Sequence, residues 1–418
     1  MSFTTRRTAP LILVATATIL AAGLSGCGSA SGTDTSGRTL HIGIPIADSS
    51  SLVKAGVASP DALTADQIEQ MYTIALDAIS GTDAAGGYTL VPDYATFDLV
   101  DSGAPQTACA HFVQDSRDDL VLSGQFVNGG DQCVAQQGGV LLQDVAAPEA
   151  AYSIDTGTVL TLDQLPSTAA ERFADYLISS GVLDGKTVGV LTDALGGDAT
   201  PVTDVLVPAL EDAGVEVAHV TTLTSDLQAV AQQIPTEITQ MKEAGVDVIV
   251  DATPSANLMQ FLGGESSAGW SAPVIASDLN YAVAETFAAA YPADLEASAL
   301  TQRTFGADAG GDAASTCADR YETQGGETLV AGSTNYQTLL QACDLVTVLG
   351  KALTALGDTA FSGAAFATAV EGLGHVDGIA SYGDLTFEAG TPAGVSGLQV
   401  VTWSDGGWEP TDGVWSGR

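Results

Sequence analysis

The stretch LDGKTVGVLTDALGGDATPVTDVLVPALEDAGVEVAHVTTL, residues 183 to 223, decides the fold. Lys186 to Thr192 is a β-branched run of strand length, and Gly196, Gly197 and Asp198 make a turn after it. Thr200 is placed to cap a helix with Pro201 at its first position, where a missing N–H does no harm. Val202, Val205, Leu206, Ala209 and Leu210 give that helix an apolar stripe. Gly214 closes it, and Val215 to Val220 is the next strand. The unit is β-α-β, and the crossover rule makes its strands parallel neighbours.

Upstream, the chain begins with an export signal. Arg6 and Arg7 form a basic segment, Leu11 to Leu24 an apolar one too short to span a bilayer, and Leu24-Ser25-Gly26-Cys27 resembles the cleavage box of bacterial lipoproteins. On that pattern residues 1–26 are the signal peptide and Cys27 carries the lipid that anchors the chain in the cell membrane, outside the cytoplasm. Residues 27–37, rich in Ser, Gly and Thr, form a flexible tether. An ordinary secretory signal is the alternative.

Composition limits the partners. The formal charge is −39, with 51 acidic residues spread along the chain, so nucleic acid is excluded because such a surface repels phosphate. Salt screens this field within about 8 Å, so it says little about a closed cleft. With 45% hydrophobic residues and regular strand-helix alternation the chain is globular, and its length argues for two domains. Beyond the signal, no apolar run reads as membrane-spanning.

Besides Cys27 there are four cysteines, in a compartment that favours oxidation. Their grouping suggests Cys109 with Cys133 and Cys317 with Cys343, each closed loop worth roughly 3 kcal/mol in the chain-entropy model. A metal site is the rival, but there is no CxxC, and His41, His111, His219 and His375 are scattered. No metal and no other cofactor is expected.

The β-α unit recurs along the chain. Thr39 to Ile46 is a strand, and Thr64-Ala-Asp-Gln67 a capping box opening a helix with Ile68, Met71, Tyr72, Ala75, Leu76 and Ile79 on its apolar face. Tyr88 to Val91, Thr96 to Val100, Asp119 to Ser123 and Gly139 to Gln143 are strand material, with a helix from Pro105 to Gln114. Ser153 to Leu165 has no periodicity and reads as a crossing between lobes. A second capping box, Thr168 to Glu171, opens the next helix. After the opening unit come a helix from Leu227 to Ala244, the strand Val246 to Asp251, a helix begun by Thr253-Pro254 and the strand Pro273 to Ser277. The class is α/β, two doubly wound lobes with a ligand cleft between them, and such sheets bind ligands outside the carboxyl ends of their strands.

Two such lobes, the lipoprotein-like signal, an extended return at Ala299 to Phe305, a long helix Tyr336 to Ala355 and the closing segment Ser381-Tyr-Gly-Asp-Leu-Thr-Phe-Glu-Ala-Gly390 resemble the type I periplasmic solute-binding proteins. The similarity is strongest to the Leu/Ile/Val-binding branch. It implies lobe I from residues 38–158 plus 300–372, lobe II from 159–299 plus 373–410, and a C-terminal tail at 411–418. It also implies three crossings, a small-molecule ligand and an ABC permease as membrane partner.

The candidate ligand residues are those at the strand ends: Asp48, Ser49, Ser50, Gln125, Asn128, Ala146, Ala147, Asp193, Gly196, Pro254, Ser255, Asp278 and Tyr281. The resemblance implies that hydroxyl side chains and backbone N–H groups after the third and fourth strands of lobe I hold a ligand carboxylate. Here those loops read Gly124-Gln125-Phe126-Val127-Asn128 and Asp144-Val145-Ala146-Ala147, without the hydroxyls. Gln125 and Asn128 retain donors, and Asp144 repels a carboxylate unless it points away. Asp278 falls where the family holds the ligand ammonium, and it also fits a helix cap. Ser49 and Ser50 either meet ligand or finish a strand, and Gly196-Gly197 either approaches ligand or makes the turn. Trp270, Trp403, Trp408 and Trp415 read as packing.

No GxSxG, HExxH, CxxC or Cys beside His supports an enzyme. Three binding roles stay open. They are the receptor of an importer for an amino acid or amide, a ligand-sensing lipoprotein signalling to a membrane kinase, and a surface lipoprotein without a small ligand.

Overall fold

Short apolar runs bounded by polar turns become the central strands of two sheets in the computed structural model. It describes residues 38–54, 58–99, 101, 103–124, 126, 129–193, 199–224, 227–277, 291–292, 294–306, 310–404 and 406–415. The first sheet holds β1 (Thr39–Asp48), β2 (Thr89–Asp98), β3 (Leu120–Ser123), β4 (Val140–Gln143) and β5 (Thr158–Thr161), in the order β2-β1-β3-β4-β5 with all pairs parallel. The two separate runs read at Tyr88 and Thr96 are one strand, paired with β1 from Thr39↔Thr89 to Asp48↔Asp98. Every residue of β3 and β4 is buried, as helices on both faces of a parallel sheet require.

The second sheet holds β6 (Thr187–Asp193), β7 (Glu216–Leu223), β8 (Val248–Ala252), β9 (Val274–Ser277) and β10 (Ala297–Thr301). A three-stranded sheet of β11 (His375–Val376), β12 (Leu385–Phe387) and β13 (Gly394–Val395) follows. The chain then returns to the second sheet as β14 (Leu398–Ser404) and β15 (Gly407–Trp415), giving the order β7-β6-β8-β9-β10-β14-β15. β6 and β7 pair in parallel, as the opening β-α-β unit predicts. β14 runs antiparallel to both neighbours. The tail expected at 411–418 is therefore a strand as far as Trp415. A tight turn at Gly406, with φ +89°, joins Ser404 to Gly407 and lets the chain double back.

The helices are α1 (Ser50–Lys54), α2 (Ala65–Asp77), α3 (Ala104–Ala110), α4 (Gly130–Gln136), α5 (Pro166–Ser179), α6 (Val207–Asp212), α7 (Leu227–Ala244), α8 (Ser255–Ser267), α9 (Gly311–Thr323), α10 (Thr334–Leu356) and α11 (Gly363–Glu371). Alternate residues of β1 divide two cores. Leu40, Ile42, Ile44 and Ile46 meet Met71 and Leu76 of α2 and Leu345 and Leu349 of α10, while Gly43 on the other face lies under Phe112. β6 and β8 do the same in the second sheet: Val188, Val190, Val248 and Val250 pack with α5 and α6, and Leu191 and Ile249 with α7 and α8. Trp403 and Trp408 meet edge to face at 5.4 Å beside Tyr291 in this core, the packing role read for them.

Local expectations met mixed outcomes for physical reasons. The Thr64–Gln67 capping box forms in full. The one at Thr168 does not, because Pro166 starts α5 earlier and Leu165 stands at the cap. Thr200 has helical dihedrals, φ −55° and ψ −43°, and gives no side-chain cap. The first turns after it are π-helical over Pro201–Leu206, and α6 then begins with Pro208 in its first turn, a residue that has no N–H for an α-helical bond. The crossing at Ser153 to Leu165 contains β5, an edge strand too short to show periodicity. Val376, Ile379, Leu385 and Phe387, placed in lobe II by the sequence, pack into the first core beneath α10 and α11. α10 is long and apolar enough to cross a membrane, yet its apolar side chains build that same core. Both disulfides form as paired, with Cα–Cα distances of 6.2 and 6.5 Å.

Candidate ligand-binding site

In each sheet the strand order reverses at one place, between β1 and β3 in the first and between β6 and β8 in the second. Loops leaving such a point diverge and open a crevice at the carboxyl ends of the strands. In the first sheet that crevice is a pocket of about 470 Å³. Pro45, Ala47 and Ser49 at the end of β1, Leu99 after β2 and Gly124 after β3 form its floor. Ile68 and Tyr72 of α2 and Asn335, Thr338 and Gln341 of α10 wall it, and Gly406 of the β14–β15 turn reaches it from the second sheet. The described lining holds one carboxylate, Asp61, and no Lys, Arg or His. Asn335 is fixed by donating its side-chain amide to the Asp61 carbonyl at 2.8 Å.

Around this pocket the candidates sort by their partners. Ser49 lines it. Asp48 does not: its two carboxylate oxygens accept from the Ser50 N–H at 2.8 Å and the Ser50 hydroxyl at 3.0 Å, a closed cap at the start of α1. Ala147 is buried, and its N–H donates to the Tyr152 hydroxyl at 2.8 Å, so the backbone donor foreseen there is already taken; Ala146 is half-buried. In the second sheet Asp193 is buried and accepts from the Asn257 side chain at 2.8 Å, Pro254 caps α8, and Ser255 opens that helix in a buried position. None of these three lines the first-sheet pocket. Gln125, Asn128, Gly196, Asp278, Tyr281 and the lipidation residue Cys27 lie outside the described residues.

Asp144, read as repelling a carboxylate unless it points away, is buried and does not line the pocket. Its carboxylate meets an Arg303 Nη at 2.5 Å, with both side chains buried, and Asp163 stands 3.9 Å from the same guanidinium. Burial pushes the Asp144 carboxyl up, against the pull of the Arg303 charge and, more weakly, of Gln341 on the pocket wall. The site behind the pocket is thus a charge cluster at the place where the chain passes between sheets. Arg303 bridges to Ser381, the Thr304 N–H donates to the Ala380 carbonyl at 3.0 Å, and the Tyr382 N–H donates to the Gln302 carbonyl at 2.6 Å. Asp344 of α10 accepts from the N–H groups of Ile379 and Ala380 at 3.0 and 2.8 Å. Burial pushes its carboxyl up to about 7, against the pull of those N–H groups.

Sequence reasoning missed Tyr72, Asn335, Thr338 and Gln341. Helical periodicity placed Tyr72 on the apolar face of α2, where its ring does lie, but periodicity does not say where the hydroxyl ends. Asn335, Thr338 and Gln341 recur at about one turn of α10, a polar stripe on an otherwise apolar helix, and that was the readable signal.

A family model described as periplasmic binding protein matches residues 106–407. The chain belongs to that family. Solved structures share the fold of this periplasmic binding protein along nearly its whole length. A type 1 periplasmic binding protein from Bordetella pertussis Tohama I superposes with a TM-score of 0.68 at 16% identity, covering 90% of this chain and 100% of its own. A leucine-binding protein from Thermotoga maritima gives 0.66 at 12%, covering 90% and 98%. A solute-binding protein of an ABC transporter from R. palustris, in complex with 4-hydroxybenzoate, gives 0.65 at 12%, covering 90% and 96%. No curated protein matches the chain. The fold is that of the type I periplasmic binding proteins, a family of extracytoplasmic binding proteins of transporters rather than of enzymes.

Proposed function

We propose that this periplasmic binding protein captures a small polar solute, an amino acid or amino-acid amide, and delivers it to the membrane permease of an ABC importer. The single observation that carries this is the 470 Å³ pocket at the switch point of the first sheet, of a size for a small molecule and reached by Gly406 from the second sheet. The leucine and 4-hydroxybenzoate complexes or names of its structural neighbours support a small organic solute. One lobe is built on each sheet, and the crossings near residues 153 to 165, 299 to 305 and, between β13 and β14, 395 to 398 serve as the hinge. On the second lobe we assign the ligand ammonium to Asp278 and keep Tyr281 as a candidate contact. Lipid on Cys27 keeps the receptor at the outer face of the membrane.

The test is a thermal-shift screen of purified protein against amino acids, amino-acid amides, polyamines, sugars and anions. A ligand at 100 times its dissociation constant adds about 2.7 kcal/mol to stability. If no class stabilises the protein, solute capture is wrong; if only sugars or anions do, the ammonium role of Asp278 is wrong. Cys27→Ser is expected to abolish metabolic lipid labelling, and persistent labelling removes the anchor.

A further inference from the structure

Gly124 follows β3 on the pocket floor, and the space where its side chain would stand is occupied. A Cβ built there would lie 2.9 Å from the Tyr72 hydroxyl oxygen. Tyr72 comes from α2, its ring buried against the first core and its tip in the pocket lining. The Gly124 backbone lies beside that oxygen, and no acceptor among the described residues takes the phenol's own proton, which leaves it to be given to something else. Burial, and secondarily the Asp144 charge, push the phenol well above its usual range, so it remains a neutral donor at any physiological pH. Asp61 is the one charge in the described lining, and it is negative.

The geometry points to Tyr72 as a specificity-determining residue of the first-sheet pocket, donating its O–H to an uncharged oxygen of the solute, an amide carbonyl or a hydroxyl. This rests on the solute-binding function proposed above and adds to it the chemistry of one ligand end. The pocket supplies a phenol and side-chain amides where a carboxylate would want cationic partners. A carboxylate placed there would bring a second negative charge beside Asp61 with no Lys or Arg among the described lining residues to offset it. Gly124 is part of the device, since any side chain there displaces the phenol.

The probes are matched pairs that differ only at this end: leucinamide against leucine, glutamine amide against glutamine and tyrosinamide against tyrosine, with glucose and inositol as neutral hydroxyl probes. Binding is read by calorimetry on wild type, Tyr72→Phe and Gly124→Ala. The amide or hydroxyl member is expected to bind the wild type more tightly. Tyr72→Phe should weaken it by about fivefold, the factor for one neutral hydrogen bond, and bring the amide-to-acid preference towards one while the melting temperature of the free protein hardly moves. Gly124→Ala should weaken the same probes although the phenol is still present. If the free acids bind as well as the amides, or if Tyr72→Phe leaves the preference unchanged, Tyr72 is not the determinant, and solute capture stands without it. If none of these probes nor the wider panel binds, the solute-binding function fails and the Tyr72 assignment with it.

Discussion

Asp251→Asn is expected to change the pH dependence of stability by a calculable amount. Asp251 is the last residue but one of β8, fully buried, and its Oδ1 accepts from the Thr253 hydroxyl at 2.7 Å and the Thr253 N–H at 3.3 Å, while Oδ2 has no partner among the described residues. Burial, opposed by those two bonds and aided by nearby Asp193, raises its pKa from 3.8 to about 8. The folded protein therefore keeps a proton that the unfolded chain releases above pH 3.8. Between pH 4 and pH 8 folding must take that proton up from solution, so this group lowers stability progressively as pH rises. At 1.36 kcal/mol per pH unit, the cost accumulated between pH 4 and pH 7 is about 4 kcal/mol. Asparagine keeps an acceptor for Thr253 and needs no proton. Its NH₂ takes the place of the unpartnered oxygen, at about 1 to 3 kcal/mol. That penalty is the same at every pH and cancels when the effect of the substitution at pH 7 is compared with its effect at pH 4. The variant should be less stable than wild type at pH 4 and more stable at pH 7, the two differences separated by about 4 kcal/mol. Urea unfolding followed by tryptophan fluorescence at pH 4, 5.5 and 7 measures this. A difference independent of pH would mean that Asp251 is ionised in the native state, and the assignment of its raised pKa to burial would fall.

Three further outcomes follow from the packing. Arg303→Ala strands Asp144 as a buried charge and should cost about 3 to 5 kcal/mol in urea unfolding, and Asp144→Asn in the same chain should recover part of it; no recovery would show that the pair does not interact. Reducing Cys109–Cys133 and Cys317–Cys343 should lower stability by roughly 3 kcal/mol for each bridge. Non-reducing peptide mapping should recover those two links, and free thiols in the folded protein would contradict them. Gly43→Ala puts a Cβ 2.5 Å from the Phe112 ring and should cost about 1 to 3 kcal/mol by overpacking, read as a fall in melting temperature.

The sheets were legible because their strands are buried on both faces. Leu120–Ser123, Val140–Gln143 and Val274–Ser277 are apolar runs of strand length whose only outlet is a covered parallel sheet. The capping box at Thr64 was legible because both of its bonds lie within four residues, whereas that at Thr168 failed to a proline two residues ahead of it. Local pattern cannot see partners far along the chain. Asp144 and Arg303 are 159 residues apart, so the cation that offsets the Asp144 charge could not be read from the local pattern. Ala147 and Asp193 were sound choices by position, at the ends of strands, but Tyr152 and Asn257 claim them. The pocket wall on α10 was missed because a core helix is recognised by its apolar majority, and Asn335, Thr338 and Gln341 were read past.

The position of β10 between β9 and β14 bears on how the chain reaches this state. β9 is in place shortly before β10 in the chain, but the other edge of β10 is covered only by β14, which is made after the whole run from α9 to β13. Until then β10 presents an open edge carrying three buried residues, Ala299, Leu300 and Thr301. Pairing across so long an interval adds a loop-closure cost and slows folding, and the second sheet can close only once β14 has been made. The strands made last, β14 and β15, are thus the ones that complete the sheet.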